Sequence, residues 1–224
     1  KSELIARVQP GVTNLDLDTE VAKENMRFVP DPGSRNVSTI GGNVATSAGG
    51  LRGLKYGTTM NYVLGLEAVL GTGEVIKTGG RLVKNVAGYD LTRLLVGSEG
   101  TLGIITNATM RIEKIPESLV FLSYGFKNIS EGIEAARKIM VERVRPAVIR
   151  LYDEADSAKL SSWLNLGVEG VLLVIMCDGS KELTDLESKA IAKICESAKG
   201  ISYGPEVGKM WWDGKYEPFK RGHI

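Results

Sequence analysis

Three segments of this sequence combine glycine with small hydroxyl residues densely enough to seat a ligand against bare backbone. The first runs from Pro30-Asp31-Pro32-Gly33-Ser34 into Ser38-Thr39-Ile40-Gly41-Gly42-Asn43-Val44-Ala45-Thr46-Ser47-Ala48-Gly49-Gly50. The second is Lys84-Asn85-Val86-Ala87-Gly88-Tyr89-Asp90, and the third is Gly97-Ser98-Glu99-Gly100-Thr101-Leu102-Gly103-Ile104-Ile105. Loops of this composition offer N–H groups and Ser or Thr hydroxyls, donors that suit phosphate oxygens or the carbonyl and nitrogen edges of a flat heterocycle. Taken singly, each loop reads equally well as a tight turn between strands. Glycine is unevenly spread, with 16 of the 27 between residues 33 and 103, so ligand contact is expected in the first half of the chain.

The elements that must position these loops change character along the chain. Before residue 115, short β-rich runs alternate with glycine pairs. The segment 4–11 reads as a strand entering a turn, 62–70 and 74–77 as a hairpin around Gly71-Thr72-Gly73, and 103–112 as a further strand. Asp90 is placed to cap a short helix over 91–95, which accounts for Tyr89 and Asp90 without a substrate role. After Pro116, strands over 119–126, 147–152 and 170–176 alternate with helices over 131–144, 155–164 and 181–198. Ile133, Ala136, Met140 and Val144 share one helical face behind a Ser130 cap, and Leu183, Leu186, Ala190 and Ile194 share another behind Ser180. Such a module packs helices on one face of a sheet. The boundary falls at 115–117, giving domains over 1–115 and 116–224. The segment 200–224 is aromatic and charged, and its fold is not legible.

Composition narrows the function. The 224 residues carry a net charge of +1 with Lys and Arg spread throughout, which gives no basic stripe for nucleic acid. Cys177 and Cys195 lie 18 positions apart without C-x-x-C spacing, so both read as reduced core residues and no metal site is expected. The apolar run over 171–177 is far short of the ~20 residues of a membrane span. With no signal peptide read, a cytoplasmic chain is expected. A P-loop and a G-x-G-x-x-G between strand and helix are both absent, which disfavours a P-loop enzyme or a Rossmann dehydrogenase.

In order and spacing, the first and third segments, together with Leu51-Arg52, Lys55-Tyr56-Gly57 and the Lys84-to-Asp90 loop, resemble the FAD-binding domain of the vanillyl-alcohol oxidase (PCMH) type. The nearest likeness is to the glycolate oxidase FAD subunit and D-lactate dehydrogenase branch. The resemblance implies an α+β chain, with this FAD-binding domain followed by an α+β cap domain whose sheet is flanked by helices. It places Pro32, Ser34, Ser38 and Thr39 along the FAD diphosphate and ribityl chain. Thr46, Ala48, Gly49 and Gly50 would press backbone against the flavin, with Gly42, Asn43 and Gly57 as supporting turn residues. Glu99, Gly100, Gly103 and Ile105 match the segment under the adenosine end, and Arg52 and Tyr56 are further contacts. By composition alone Glu99 would be a solvated strand-end charge.

In the cap, Arg150 stands where hydroxy-acid dehydrogenases of the family usually carry glutamate and alkyldihydroxyacetonephosphate synthases carry arginine. A guanidinium there suits an anionic substrate group, and pairing with Glu154 or simple solvation on an edge strand accounts for it equally well. The family's P-P-x-G-G-G-T loop is expected ahead of Lys1 and its catalytic segment beyond Ile224, so no catalytic base is assigned, and His223 is given no role. The resemblance implies oxidation of a small 2-hydroxy acid, glycolate or D-lactate in type, by hydride transfer to flavin N5. The electron acceptor would be a quinone, an iron–sulfur subunit or another carrier, and the protein could sit peripherally at the membrane or form a homo-oligomer. The alternatives are a synthase-like FAD transferase and a non-catalytic FAD-binding subunit.

Overall fold

The computed structural model describes residues 4–164, 166–167 and 169–216. His223 lies outside them. The described residues fall into two compact units that part between Ile115 and Pro116.

In the first unit the order is β1 (Ile5–Val8), α1 (Asn14–Ala22), β2 (Met26–Arg27), α2 (Ile40–Thr46), α3 (Gly53–Tyr56), β3 (Val63–Val69), β4 (Val75–Gly79), α4 (Leu91–Leu95), β5 (Ile104–Arg111) and β6 (Glu113–Lys114). Four strands form an antiparallel sheet ordered β1-β5-β3-β4, and β2 pairs with β6 in a separate ribbon. The expected hairpin is β3–β4, with Val69 opposite Val75. Tyr62, Leu66, Ala68, Ala108 and Met110 form the core with Phe28 and Val29. The short α2 joins this core through Ile40 and Val44, one turn apart and fully buried. That anchorage leaves Gly42 and Thr46 on the outward side. Asp90 caps α4 as expected, accepting from the Arg93 N–H at 3.0 Å.

The second unit contains β7 (Ser118–Phe126), α5 (Ile129–Val141), β8 (Val148–Leu151), α6 (Glu154–Leu164), β9 (Val171–Gly179), α7 (Lys181–Ser197), β10 (Ile201–Ser202) and α8 (Gly204–Asp213). Its antiparallel sheet is ordered β10-β7-β9-β8. Helices cover both faces rather than one. Val171, Leu173, Ile175 and Cys177 pack with Ala135 and Ile139 of α5 and Ile191, Ile194 and Cys195 of α7. The alternate residues Leu172, Val174 and Met176 are equally buried, on the face where Gly208 of α8 meets Phe121 and Ser123. An unbroken apolar run such as 171–177 is what a strand covered on both faces requires. The buried Trp211 of α8 donates to the Tyr152 hydroxyl at 2.6 Å. Trp212 packs against Phe121, whereas Trp163 is half exposed. Among the described residues no helix is long and apolar enough to cross a membrane.

Helices α5 and α7 bury faces that differ from the expected ones, although Ile194 of α7 is buried as expected. On α5 the buried residues are Gly132, Ala135 and Ile139, while Ile133 and Met140 are 55% and 45% exposed. On α7 they are Thr184, Ile191, Ile194 and Cys195, while Leu183 and Leu186 are exposed. Close approach explains the choice on α5, because a Cβ at Gly132 would stand 2.7 Å from Leu151. The α5 cap is also Asn128 rather than Ser130, its side chain accepting from the Glu131 N–H at 3.1 Å.

Two outcomes follow. Ile139→Ala lowers the unfolding free energy by about 2–4 kcal/mol in urea titration, whereas Ile133→Ala changes it by no more than about 0.5 kcal/mol. Both cysteines are buried and free, and burial pushes the Cys195 thiol up from 9.0 to about 12. The unfolded thiol therefore ionises while the folded one stays protonated, so Cys195 contributes a loss of stability as pH rises from 9 towards 12. Thermal melting across that window checks the sign, and Ser in place of Cys195 reduces the slope.

Candidate functional site

The site is built where the chain between Asp31 and Arg52 turns back on itself. Asp31 is buried between two prolines, and its Oδ2 lies 3.2 Å from Arg52 Nε. The buried Asn14 side chain holds the Pro30 carbonyl at 3.1 Å, and Asp18 holds both the Phe28 N–H at 2.9 Å and Arg35 at 3.2 Å. The chain then runs through Pro32, Ser34 and Ser38 to Thr39, which bridges to Thr13 and caps α2 by accepting from the Gly42 N–H at 3.2 Å. Thr46 donates back to the Gly42 carbonyl at 3.0 Å. Ser47 ends the helix in the left-handed region, φ 50°, and its hydroxyl lies 3.0 Å from that of Thr58. The Ala48 carbonyl accepts from both the N–H and the hydroxyl of Thr59, at 2.9 and 2.7 Å.

The third glycine segment meets this helix directly. Gly97 N–H donates to Val44 O at 3.0 Å and Glu99 N–H to Ala45 O at 2.8 Å. Glu99 and Gly100, with φ of 52° and 78°, are the centre of a turn closed by Thr101 N–H on Ser98 O. Glu99 is exposed, as are Gly100 and Ser34, whereas Pro32 is buried. Gly103 lies just ahead of β5 against the Val69 carbonyl, and Ile105 pairs with Ala68 within the sheet beside the turn. Two of the three segments are thus brought together. The 84–90 loop instead lines a separate concavity of about 600 Å³ with Asn61, Thr78, Thr92 and Arg93, which contains none of the expected flavin contacts.

Arg52, Tyr56 and Gly57 are also engaged by the protein itself. Arg52 is held by Asp31. Tyr56 accepts from Arg27 at 2.8 Å and lies under its guanidinium. Gly57 ends α3, donating to the Gly53 carbonyl. Arg27 continues to Glu113 at 3.9 Å, and Glu113 also accepts from Tyr62 at 2.9 Å and from Arg111 at 2.6 Å. Burial first, then the Glu113 carboxylate, raises the Tyr62 hydroxyl above its ordinary range. This network was not legible in sequence, because its members are scattered between residues 27 and 113. In the second unit, Arg150 is exposed on the edge strand β8, opposite Val174 and 5.3 Å from the centre of the Tyr152 ring.

The cradle fits a large ligand rich in acceptors. The buried Ser38 Oγ and Asn43 Nδ2 have no hydrogen-bond partner within the described residues, so donor capacity remains where the loop meets α2. Gly49 is exposed, and a Cβ there would meet only Thr58, at an ordinary 3.5 Å. Its own fold does not demand glycine at that position, whereas at Gly50 a Cβ would run into the Asp31 carboxylate and backbone. A flat ring laid on the backbone is the kind of group that would exclude a side chain at Gly49.

Comparison with known proteins gives two family matches, an FAD binding domain over residues 1–79 and the C-terminal domain of FAD linked oxidases over residues 115–215. Glycolate oxidase subunit GlcD of Bacillus subtilis is 40% identical over 205 residues, covering 90% of this chain and 44% of that protein. D-lactate dehydrogenase of Archaeoglobus fulgidus is 38% identical over 195 residues, covering 85% and 42%. Among solved structures, an alkyldihydroxyacetonephosphate synthase superposes with TM-score 0.83 at 26% identity, over 96% of this chain and 42% of that one. A p-cresol methylhydroxylase shares the fold, with TM-score 0.71 at 16% identity over 91% and 46%. The chain therefore spans a little under half the length of the relatives it matches.

The two neighbouring glycines separate ligand contact from folding. Gly49→Ala leaves the apo melting temperature unchanged or slightly raised and weakens FAD binding at least about tenfold, roughly 1.4 kcal/mol. Gly50→Ala costs about 1–3 kcal/mol of stability before any ligand is added. Calorimetry with and without FAD reads both.

Proposed function

Since the chain belongs to the FAD-linked oxidase family, we propose that it is the flavin-holding part of an enzyme that oxidises a small 2-hydroxy acid of the glycolate or D-lactate type. The observation that carries this reading is the cradle: spare donors at Ser38 and Asn43 beside an exposed Gly49 that the fold does not require. The 40% identity to a glycolate oxidase subunit over nine-tenths of the chain supports the substrate class.

Oxidation of a 2-hydroxy acid removes a hydride from the α-carbon and a proton from the hydroxyl, leaving a 2-oxo acid. Bound FAD supplies the hydride acceptor, its N5. In this reading the chain contributes binding and orientation. Pro32, Ser34, Ser38 and Thr39 would hold the diphosphate and ribityl chain, and small residues from Thr46 to Gly50 would let main-chain donors approach the ring edge, where FAD gains negative charge on reduction. Glu99, Gly100, Gly103 and Ile105 would hold the adenosine end. Arg150 is the anchor for an anionic substrate group, through a bidentate charge-assisted pair. Electrons leave to a quinone, an iron–sulfur subunit or another carrier, which places the protein in the cytoplasm or peripherally at the membrane, singly or as a homo-oligomer.

A synthase-like FAD transferase is the second reading, favoured by Arg150 and by the 0.83 superposition on an alkyldihydroxyacetonephosphate synthase. The visible spectrum of the purified protein, followed during anaerobic addition of glycolate, D-lactate and 2-hydroxyglutarate, decides between them. Flavin bands that bleach with one of the acids are expected. Bands indifferent to all three favour the transferase, and a protein that takes up no flavin contradicts both readings.

A further inference from the structure

The cradle is closed by a pair of charges whose part in cofactor binding lies outside the glycine pattern. Asp31 and Arg52 are 1% and 11% exposed at their side chains, with 3.2 Å between Oδ2 and Nε. Every residue from Pro32 to Gly50 that faces the proposed flavin lies between them in the chain. The same carboxylate stands against the backbone of Gly50, so Asp31 touches the far end of the loop both through its charge and through its shape. Arg52 immediately precedes α3, whose last residue, Tyr56, is held by Arg27, and the arginine end of the pair is therefore fixed to the body of the unit.

We propose that Asp31 and Arg52 form a positioning pair, a latch that fixes both ends of the cradle, and that Arg52 acts on FAD through Asp31 rather than by touching the cofactor. The proposal rests on the FAD reading and makes it more specific. A carboxylate in contact with the guanidinium compensates its charge, so Arg52 is poorly placed to offer that charge to a flavin as well. With either partner removed, the two loop ends lose their common anchor, and the donors at Ser38, Asn43 and the α2 terminus no longer share one geometry. Sub-ångström to ångström misplacement of a preorganised site is costly even when every contact residue is still present.

A double-mutant cycle on FAD affinity tests this, with Arg52→Ala, Asp31→Ala and the double variant measured by flavin fluorescence, and with apo melting temperature and the visible circular dichroism of bound flavin recorded alongside. Arg52→Ala is expected to weaken FAD binding by about tenfold or more, and to cost less than about twofold further when Asp31 is already Ala, because the two act as a unit. Arg52→Lys, which keeps a cation for Asp31, is expected to restore most of the affinity and the wild-type flavin dichroism. Should the alanine variants fail to fold, the neutral pair Asp31→Asn with Arg52→Gln replaces them, and it is expected to hold FAD within a fewfold of wild type.

Equal losses for Arg52→Ala in both Asp31 backgrounds, or a neutral pair that folds without binding FAD, would mean direct contact with the cofactor and overturn the latch. Unchanged FAD affinity in variants whose apo form melts lower would make the pair purely structural and overturn it too. A folded wild-type chain that binds no FAD overturns the FAD reading and the latch with it, whereas FAD binding with additive losses overturns the latch alone.

Discussion

The backbone of Gly50 lies directly against Asp31, and the arrangement of the cradle depends on that contact. It brings residues far apart in the chain within reach of one buried ion pair and sets the path of everything between them. Helix α2 is too short to be stable on its own. It persists because Ile40 and Val44 are buried in the sheet core and because Thr39 caps its first turn. Once α2 is fixed, its last carbonyls are fixed too, and these accept from Gly97 and Glu99. One packing constraint thus determines where the third glycine segment sits and which backbone groups face outward.

A second constraint lies at the other end of the same unit. Glu113 collects Tyr62, Arg111 and Arg27, and Arg27 reaches Tyr56 at the end of α3. Arg27 is nearly buried and Glu113 and Arg111 are partly so, and the desolvation cost this carries is offset by the several partners they share. Their effect is to tie the β2–β6 ribbon, the start of β3 and the segment after the cradle into one rigid piece. In the second unit, apolar burial does the corresponding work, through a central strand covered on both faces and a helix whose Trp211 is fixed by Tyr152.

The longer strands were legible because their signals are local: the turn at Gly71-Thr72-Gly73 and the β-branched run of β5. Helix faces were less so. Leu183 and Leu186 on α7 are apolar at helical spacing and yet face outward, as do Ile133 and Met140 on α5, where Gly132 allows a closer approach to the sheet than an isoleucine would. Hydropathy reports transfer from water and says nothing of this fit. In the cradle, the segments and their order were readable from glycine and hydroxyl content. Asp31 was visible only as part of a turn-like Pro-Asp-Pro-Gly, since its partner lies 21 residues away and the pairing exists only after the chain folds. The signal that could have found it is an acid between two prolines, where a solvated turn would not need both flanks held.

The proposed seat of FAD is the segment between Asp31 and Arg52 together with the turn at Glu99. Amide hydrogen exchange of the purified chain, with and without FAD, tests it most directly. Slowed exchange at residues 38–50 and 97–105, with β7 to β9 unchanged, is the expected result. Slowed exchange confined to the 84–90 loop or to the second unit, with the 38–50 amides unaffected, would contradict it.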